Sequence, residues 1–409
     1  MYTSKFRSFV YALILIGCMA GCKQKNLNTP VITNTNAPGV VTNVTVQNLN
    51  GKANITYTLP SNTDLSYVKA VYEISTGVTT QVVASRYTNT MTLDGFGDTL
   101  AHNVKLYAVN SSEVSSAAVE TTVHPLTPGY ILARRSLQVA ATFGGFTVNA
   151  KNQVMDNLAI VPLVDTSGNG QWVQTVGMDN VYSNDSSISA VIRNQPSIVR
   201  KYAFTVRDRW MHYSDTLYLT LTPWFEQMLD KSKWTTFVLP NDATVLNNGG
   251  STWPYYMWDG NFHPGWPQTY FTVESATIPQ MVTIDLGAAH NFSRFQVNPY
   301  LEVGNYYYVR GNTKDFEIWG SNNPDLSDPV DANNTPGASW TKIGTYHVTK
   351  PSGSAYMTET TADQTAAYNG WQFDFPIEAQ SYRYIRIRQL SNWQGSYFMC
   401  IAEFTLWGN

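Results

Sequence analysis

The sequence predicts an all-β chain built as three successive β-sandwiches. Two observations carry this. From about Val40 onward, short runs with apolar residues at alternate positions recur, broken by Asn, Gly, Ser, Asp and Pro at intervals that suit hairpins. Composition agrees: 13% of residues are charged and 13% aromatic, so the solvated surface rests on Asn, Thr, Ser, Gln and Tyr, as in extracellular β-proteins. A net charge of −3, with no Lys/Arg cluster beyond the N-terminal segment, gives no electrostatic case for nucleic acid.

Residues 39–125 carry runs over Val41–Val46, Ala53–Leu59, Tyr67–Ile74, Val78–Ala84, Met91–Leu93 and Asn103–Val109. Six or seven short strands over this length describe an immunoglobulin-type sandwich. The Pro38-Gly39 start, the Leu59-Pro60 pair and Tyr107-Ala108-Val109-Asn110 resemble a fibronectin type III module, which implies a spacer. Pro125-Leu126-Thr127-Pro128-Gly129 opens a second Ig-like sandwich over 126–230, with runs at Ser136–Ala141, Leu158–Leu163, Ser187–Ile192, Lys201–Val206 and Thr216–Leu221. Thr222-Pro223 offers an N-cap and a proline at the first helical position, predicting a short helix over Trp224–Asp230 as the joint.

The third unit, 231–409, holds nine of the twelve tryptophans. Its strand-like runs are Thr235–Leu239, Gln280–Leu286, Ser293–Val297, Lys314–Trp319, Thr341–Tyr346, Gly370–Phe375, Tyr382–Gln389 and Ile401–Leu406, which with long loops suggest a jelly-roll sandwich. Here Trp258-Asp259-Gly260-Asn261, Val282-Thr283-Ile284-Asp285-Leu286-Gly287, Lys314 to Ser321, Trp340, Tyr384-Ile385-Arg386-Ile387 and Ala402 to Gly408 follow one another in order. Together they resemble the discoidin (coagulation factor 5/8 type C, galactose-binding-like) family, whose bacterial members are often carbohydrate-binding modules. The resemblance implies glycan recognition by loops at one end of the sandwich.

A neutral sugar needs an aromatic face for the C–H side of its ring and fixed donors and acceptors for its hydroxyls. The loop from Trp253 to Trp266 supplies both, with Tyr255, Trp258, His263 and Trp266 as candidates. His263 and Trp266 match a His-x-x-Trp pattern of galactose-binding discoidin modules. Read as residues alone, His263 fits equally a hydrogen-bonded loop histidine, Trp266 a cap on the core, and Trp258 a core residue. Arg310 offers a fork of donors to hydroxyls or pairs with an acid of the adjoining strand. Trp393 and Tyr397, on the loop before the last strands, either reach the same end or cover the core. Where galactose-binding members carry an arginine, this chain has Asn298-Pro299-Tyr300, a departure from that specificity.

The family resemblance also implies a structural calcium, with Asp259 and Glu403 at the matching positions and Asn261 adding an oxygen. The alternative is an Asx-turn and an unrelated acid. No organic cofactor is expected. Catalysis is not expected either: there is no Gly-x-Ser-x-Gly, no His-Glu-x-x-His and no Cys-x-x-Cys, and the six histidines are scattered.

At the N-terminus, Lys5 and Arg7 precede an apolar run from Phe9 to Ile16 that is too short to span a bilayer, followed by Met19-Ala20-Gly21-Cys22. This resembles a bacterial lipobox, which implies a signal peptide over 1–22, a lipid anchor on Cys22 and a tether over 23–38. Cys400 is then the one free thiol of the mature chain, in the apolar run Phe398-Met399-Cys400-Ile401, and reads as buried and inert. The whole order resembles the modular lipoproteins of Sus-type glycan uptake in Bacteroidota. It implies a non-catalytic, outer-membrane, cell-surface protein of a polysaccharide-utilisation system, binding oligo- or polysaccharide beside a Sus-type transporter. The basic Lys23-Gln24-Lys25 stands where surface-exported members are acidic, so the periplasmic leaflet stays open. The competing expectation is an adhesive or structural lipoprotein binding a protein partner through the same loops.

Overall fold

A computed structural model describes residues 34–246, 251–274, 276–377 and 380–409; the signal segment, Cys22 and most of the tether lie outside these. Strands β1 (Thr42–Leu49), β2 (Lys52–Thr58), β3 (Leu65–Ser75), β4 (Val78–Ser85), β5 (Thr90–Asp94), β6 (His102–Asn110) and β7 (Val119–Val123) form two antiparallel sheets, β1-β2-β5 and β4-β3-β6-β7. The alternation that predicts them is the alternation that packs them. Along β2, Ala53, Ile55 and Tyr57 enter the core while Thr56 and Thr58 face water.

Helix α1 (Gly129–Ser136) then leads into β8 (Gln138–Thr142), β9 (Gly145–Lys151), β10 (Leu158–Asp165), β11 (Trp172–Val173), β12 (Val181–Ser183), β13 (Ser187–Ile192), β14 (Arg200–Asp208) and β15 (Leu217–Leu221). These make the sheets β13-β9-β8 and β11-β10-β14-β15, with β12 also on β10. Tyr130 and Ala133 of α1 drop into the core beside Phe146, Tyr202 and Phe204.

The third sandwich comprises β16 (Gln227–Met228), β17 (Thr235–Thr236), β18 (Tyr270–Phe271), β19 (Gln280–His290), β20 (Phe292–Asn298), β21 (Thr313–Ser321), β22 (Thr341–His347), helix α2 (Thr361–Tyr368), β23 (Trp371–Asp374), β24 (Tyr382–Asn392), β25 (Cys400–Ile401) and β26 (Glu403–Gly408). Its sheets are β17-β19-β24-β21-β22 and β16-β26-β20-β23, with β18-β25 as a short ribbon. The chain is thus all-β, as the periodicity predicts. Arg386 on β24 is fully buried: it donates to Thr283 and to both carboxylate oxygens of Asp328 (2.8 and 3.2 Å) under the Trp340 ring. The charge is paired and hydrogen-bonded, as a buried guanidinium must be.

One expectation is corrected here. Trp224–Asp230 forms no helix: Trp224 is drawn edge-on to Phe143, and Gln227 and Met228 pair with Gly408 and Trp407 on the edge of β26. A free sheet edge satisfies these backbone groups, overriding the Thr-Pro helix signal. Glu226 sits at the joint, accepting from Arg193 (3.2 Å), Arg294 (3.3 Å) and Ser293 (2.6 Å). Between the first two sandwiches, Lys52 pairs with Asp156 at 2.7 Å and Arg209 with Asp94, while the Trp210 ring lies against Gly95. Among the described residues, no helix is long and apolar enough to cross a membrane.

Candidate functional site

Four connections meet at one end of the third sandwich: the loop before β18, the β20–β21 loop, the segment carrying α2, and the loop after β24. Residues Tyr307 and Tyr308 aim their backbone N–H groups at Glu359 (2.9 and 2.6 Å), while Gln364 of α2 donates to the Asn305 carbonyl at 3.1 Å. Tyr308 meets Trp393 edge-on at 5.0 Å, and Asn312 fastens the base of its loop by donating to the carbonyls of Tyr300 and Tyr307. Helix α2 begins at a capping box, in which Thr360 and Asp363 each satisfy the other's backbone N–H.

Between the β20–β21 loop and α2 lies an open cleft of about 550 Å³. Its apolar surface comes from Leu301 and Tyr368, the latter 55% exposed. Asn305, Tyr307, Thr361, Gln364 and Thr365 complete the lining; the Gln364 amide donates to the Asn305 carbonyl and the Thr365 hydroxyl to the Thr361 carbonyl. None of these seven side chains is charged at neutral pH. The arrangement offers a flat ring, an aliphatic neighbour and several neutral donors and acceptors.

The expected residues fall into three groups. His263 lies at the rim, its ring stacked on Tyr368 with centroids 4.0 Å apart and planes 9° apart. Trp266 is 43% exposed and stands edge-on to Phe271 and Tyr300, so it borders the residue that precedes Leu301. Both lie on the loop before β18.

Arg310 pairs with Glu274 and, at 3.5 Å, with Glu302, and lies over Phe271 and Phe398. Its donors are engaged by two acids that lie outside the named strands, not by an acid of the adjoining strand. Beneath Arg310 and Trp266 lies a satellite core of Phe271, Tyr300, Phe398, Cys400 and Ala402, where burial pushes the Cys400 thiol far up and leaves it inert. Trp393 packs on the main core, and Tyr397 is half-buried beside it.

Trp258 is corrected from binding to core: it is 8% exposed and packs against Trp234 within the main cluster. Tyr255 is exposed but stacked on Tyr256, with no contact to the cleft. Sequence reasoning missed the cleft wall itself. The Thr360-x-x-Asp363 capping box ahead of Ala366-Ala367 was the available signal for α2, and with it Tyr368.

The residues assigned to calcium make contacts of their own. Glu403 is fully buried, and its carboxylate pairs with Lys231 while accepting the Gly260 N–H at 3.3 Å. Burial pushes this carboxyl up to about 7 although Lys231 pulls it down, and burial lowers the Lys231 ammonium. Asp259 closes an Asx-turn on the Asn261 N–H at 2.8 Å, and Asn261 accepts from His263 N–H. Among the described residues, no three His, Cys, Asp or Glu side chains gather to hold a metal. At the place assigned to calcium, an ammonium already stands on Glu403 Oε1, while Glu403 Oε2 is buried without a hydrogen-bond partner.

Three family models, each described only as a domain of unknown function, match residues 38–125 (DUF4959), 126–232 (DUF5126) and 258–408 (DUF5000). Among solved structures, the chain is similar to a SusE-like protein at 25% identity, over 69% of this chain and 99% of that one, with a TM-score of 0.43. It is also similar to the C-terminal domain of a chitobiase from Bacteroides fragilis (14% identity, 45% and 98% covered, TM-score 0.30). A third likeness is to the CBM32-1 and CBM32-2 domains of Clostridium perfringens ZmpB in complex with GalNAc (12% identity, 44% and 36% covered, TM-score 0.29). No curated protein matches the chain.

Proposed function

We propose that this protein binds neutral oligo- or polysaccharides, without turning them over, in the cleft between the β20–β21 loop and α2. The observation that carries the reading is the lining of that cleft. Tyr368 and Leu301 cover an apolar sugar face, and the amides and hydroxyls around them match ring hydroxyls without any charge to favour uronates or phosphates. No carboxylate lines the cleft, so the acid and base that glycoside hydrolysis uses are not at hand there. His263 and Trp266 frame the rim.

In this reading the chain is a lipoprotein anchored through Cys22 to the outer membrane, facing the exterior. Residues 23–38 serve as tether, 39–125 and 126–230 as spacers and 231–409 as the binding module, placed beside a Sus-type transporter. Affinity electrophoresis and a glycan array with the protein from residue 23 onward test the binding. Retention by a neutral polysaccharide that is lost in Tyr368→Ala supports it. A folded protein that retains no glycan overturns it in favour of a protein partner on the same loops. For the anchor, Cys22→Ser should abolish palmitate labelling and release the protein from the membrane fraction; continued labelling overturns it.

A further inference from the structure

Lys231 occupies a singular place. It lies in a 3-10 turn, Lys231–Lys233, that follows β16 directly and is capped by Asp230, whose carboxylate accepts the Ser232 N–H at 3.0 Å. Pairing of Met228 with Trp407, followed by the Leu229 N–H to Leu406 carbonyl bond (2.9 Å), fixes the register of this turn along β26. Glu403 and Thr405, two residues apart on that strand, share one face. The Lys231 ammonium reaches both: it pairs with the Glu403 carboxylate and donates to the Thr405 hydroxyl at 2.6 Å. It also stands 5.3 Å from the Phe262 ring centre, while Glu403 holds the Gly260 N–H.

We infer that Lys231 is the resident cation of the binding module, a positioning residue that holds the His263 loop where a bound metal would otherwise be needed. One ammonium touches three pieces of chain: the joint after the second sandwich, the Gly260–Phe262 part of the loop, and the closing strand. Glu403 is fully buried, and an ionised carboxylate in that position without a cation is strongly unfavourable. A cation carried on the chain is supplied intramolecularly, so it needs no free calcium and no chelator removes it. Asp259 turns back on its own loop and leaves the ammonium as the counter-charge. The link from this pair to ligand affinity rests on the reading of the cleft given above; its chemistry does not.

The test uses the full mature protein and reads the unfolding of the third sandwich by tryptophan fluorescence, since most tryptophans lie there. Wild type should melt at the same temperature in EDTA and in millimolar calcium chloride. Lys231→Met, which keeps length and removes charge, should melt about 10 °C lower. Lys231→Met with Glu403→Gln, which also removes the stranded carboxylate, should recover much of that loss, and Lys231→Arg should stay near wild type. A fall in wild-type midpoint on chelation, or Lys231→Met melting like wild type, overturns the inference. These readouts need no glycan, so failure of the glycan array leaves them intact. Conversely, a chelator-sensitive protein that still binds glycan refutes only the role of Lys231.

Discussion

The imidazole of His263 lies parallel to the phenol ring of Tyr368, 9° from coplanar with centroids 4.0 Å apart. The two come from segments about a hundred residues apart, and the contact joins the aromatic-rich loop to a helix that no aromatic periodicity announces. It turns Tyr368 from an exposed helical side chain into a braced platform on the cleft wall. Tyr368→Ala should therefore weaken glycan binding about tenfold or more, roughly 1.4 kcal/mol, while Tyr368→Phe keeps most affinity. His263→Ala should cost less, about two- to fivefold, because it removes the brace and leaves the platform. Titration calorimetry with the best array ligand checks the order; equal losses for the two alanine variants would contradict it.

Asp363 governs the helix that presents Tyr368. Burial raises its carboxyl, but hydrogen bonds from the side chains and backbone N–H groups of Ser352 and Thr360 outweigh this and bring it down to about 2. A carboxyl lowered on folding contributes stability that is complete above its unfolded value, about 4, and is lost as pH falls through the folded value. Asp363→Asn should cost about 1–2 kcal/mol at pH 7 and weaken glycan binding with it. The gap between variant and wild type should narrow from pH 4 to pH 2. Melting curves across that window decide; a gap independent of pH would mean the charge is not what holds the cap.

Glu226 receives two arginines and a serine at the joint of the second and third sandwiches, and Arg193 reaches on to Asp374. Glu226→Ala leaves both guanidinium groups short of their acceptor, at about 1–3 kcal/mol. The expected consequence is a looser joint and little change in cleft affinity. Small-angle scattering should show a broader distribution of overall dimensions, and limited proteolysis faster cleavage between the sandwiches. Unchanged scattering and proteolysis would assign the joint to other contacts.

The sandwiches were legible because alternation in sequence is burial in space: Ser187–Ile192 and Leu217–Leu221 appear where their patterns stand. Strand β9 was missed because Gly144-Gly145 opens it and reads as a turn. The second glycine is required by the sheet, since a Cβ there would sit 1.7 Å from the Ile192 carbonyl oxygen. The helix expected after Thr222 failed for the opposite reason, a local signal overruled by a distant strand edge. For the site, His263 and Trp266 could be read from one short loop. The wall opposite could not, because it combines Leu301 and Tyr368 from separate connections whose meeting depends on the Glu359 and Gln364 bonds between them.

Trp258 and Trp266, eight residues apart on one loop, separate structure from recognition. Trp258 is buried against Trp234, so Trp258→Ala removes core contacts and should destabilise the third sandwich by about 3–5 kcal/mol while the folded fraction binds glycan normally. Trp266 meets Phe271 and Tyr300 in T-shaped contacts and leaves much of its surface to solvent, so Trp266→Ala should shift stability by about 1 kcal/mol or less and weaken binding several-fold. Melting temperature and ligand titration, measured on both variants, give opposite pairs of outcomes. If Trp266→Ala loses stability and keeps affinity, the tryptophan belongs to the satellite core beneath it and the recognition surface narrows to Tyr368, Leu301 and the amides of the cleft.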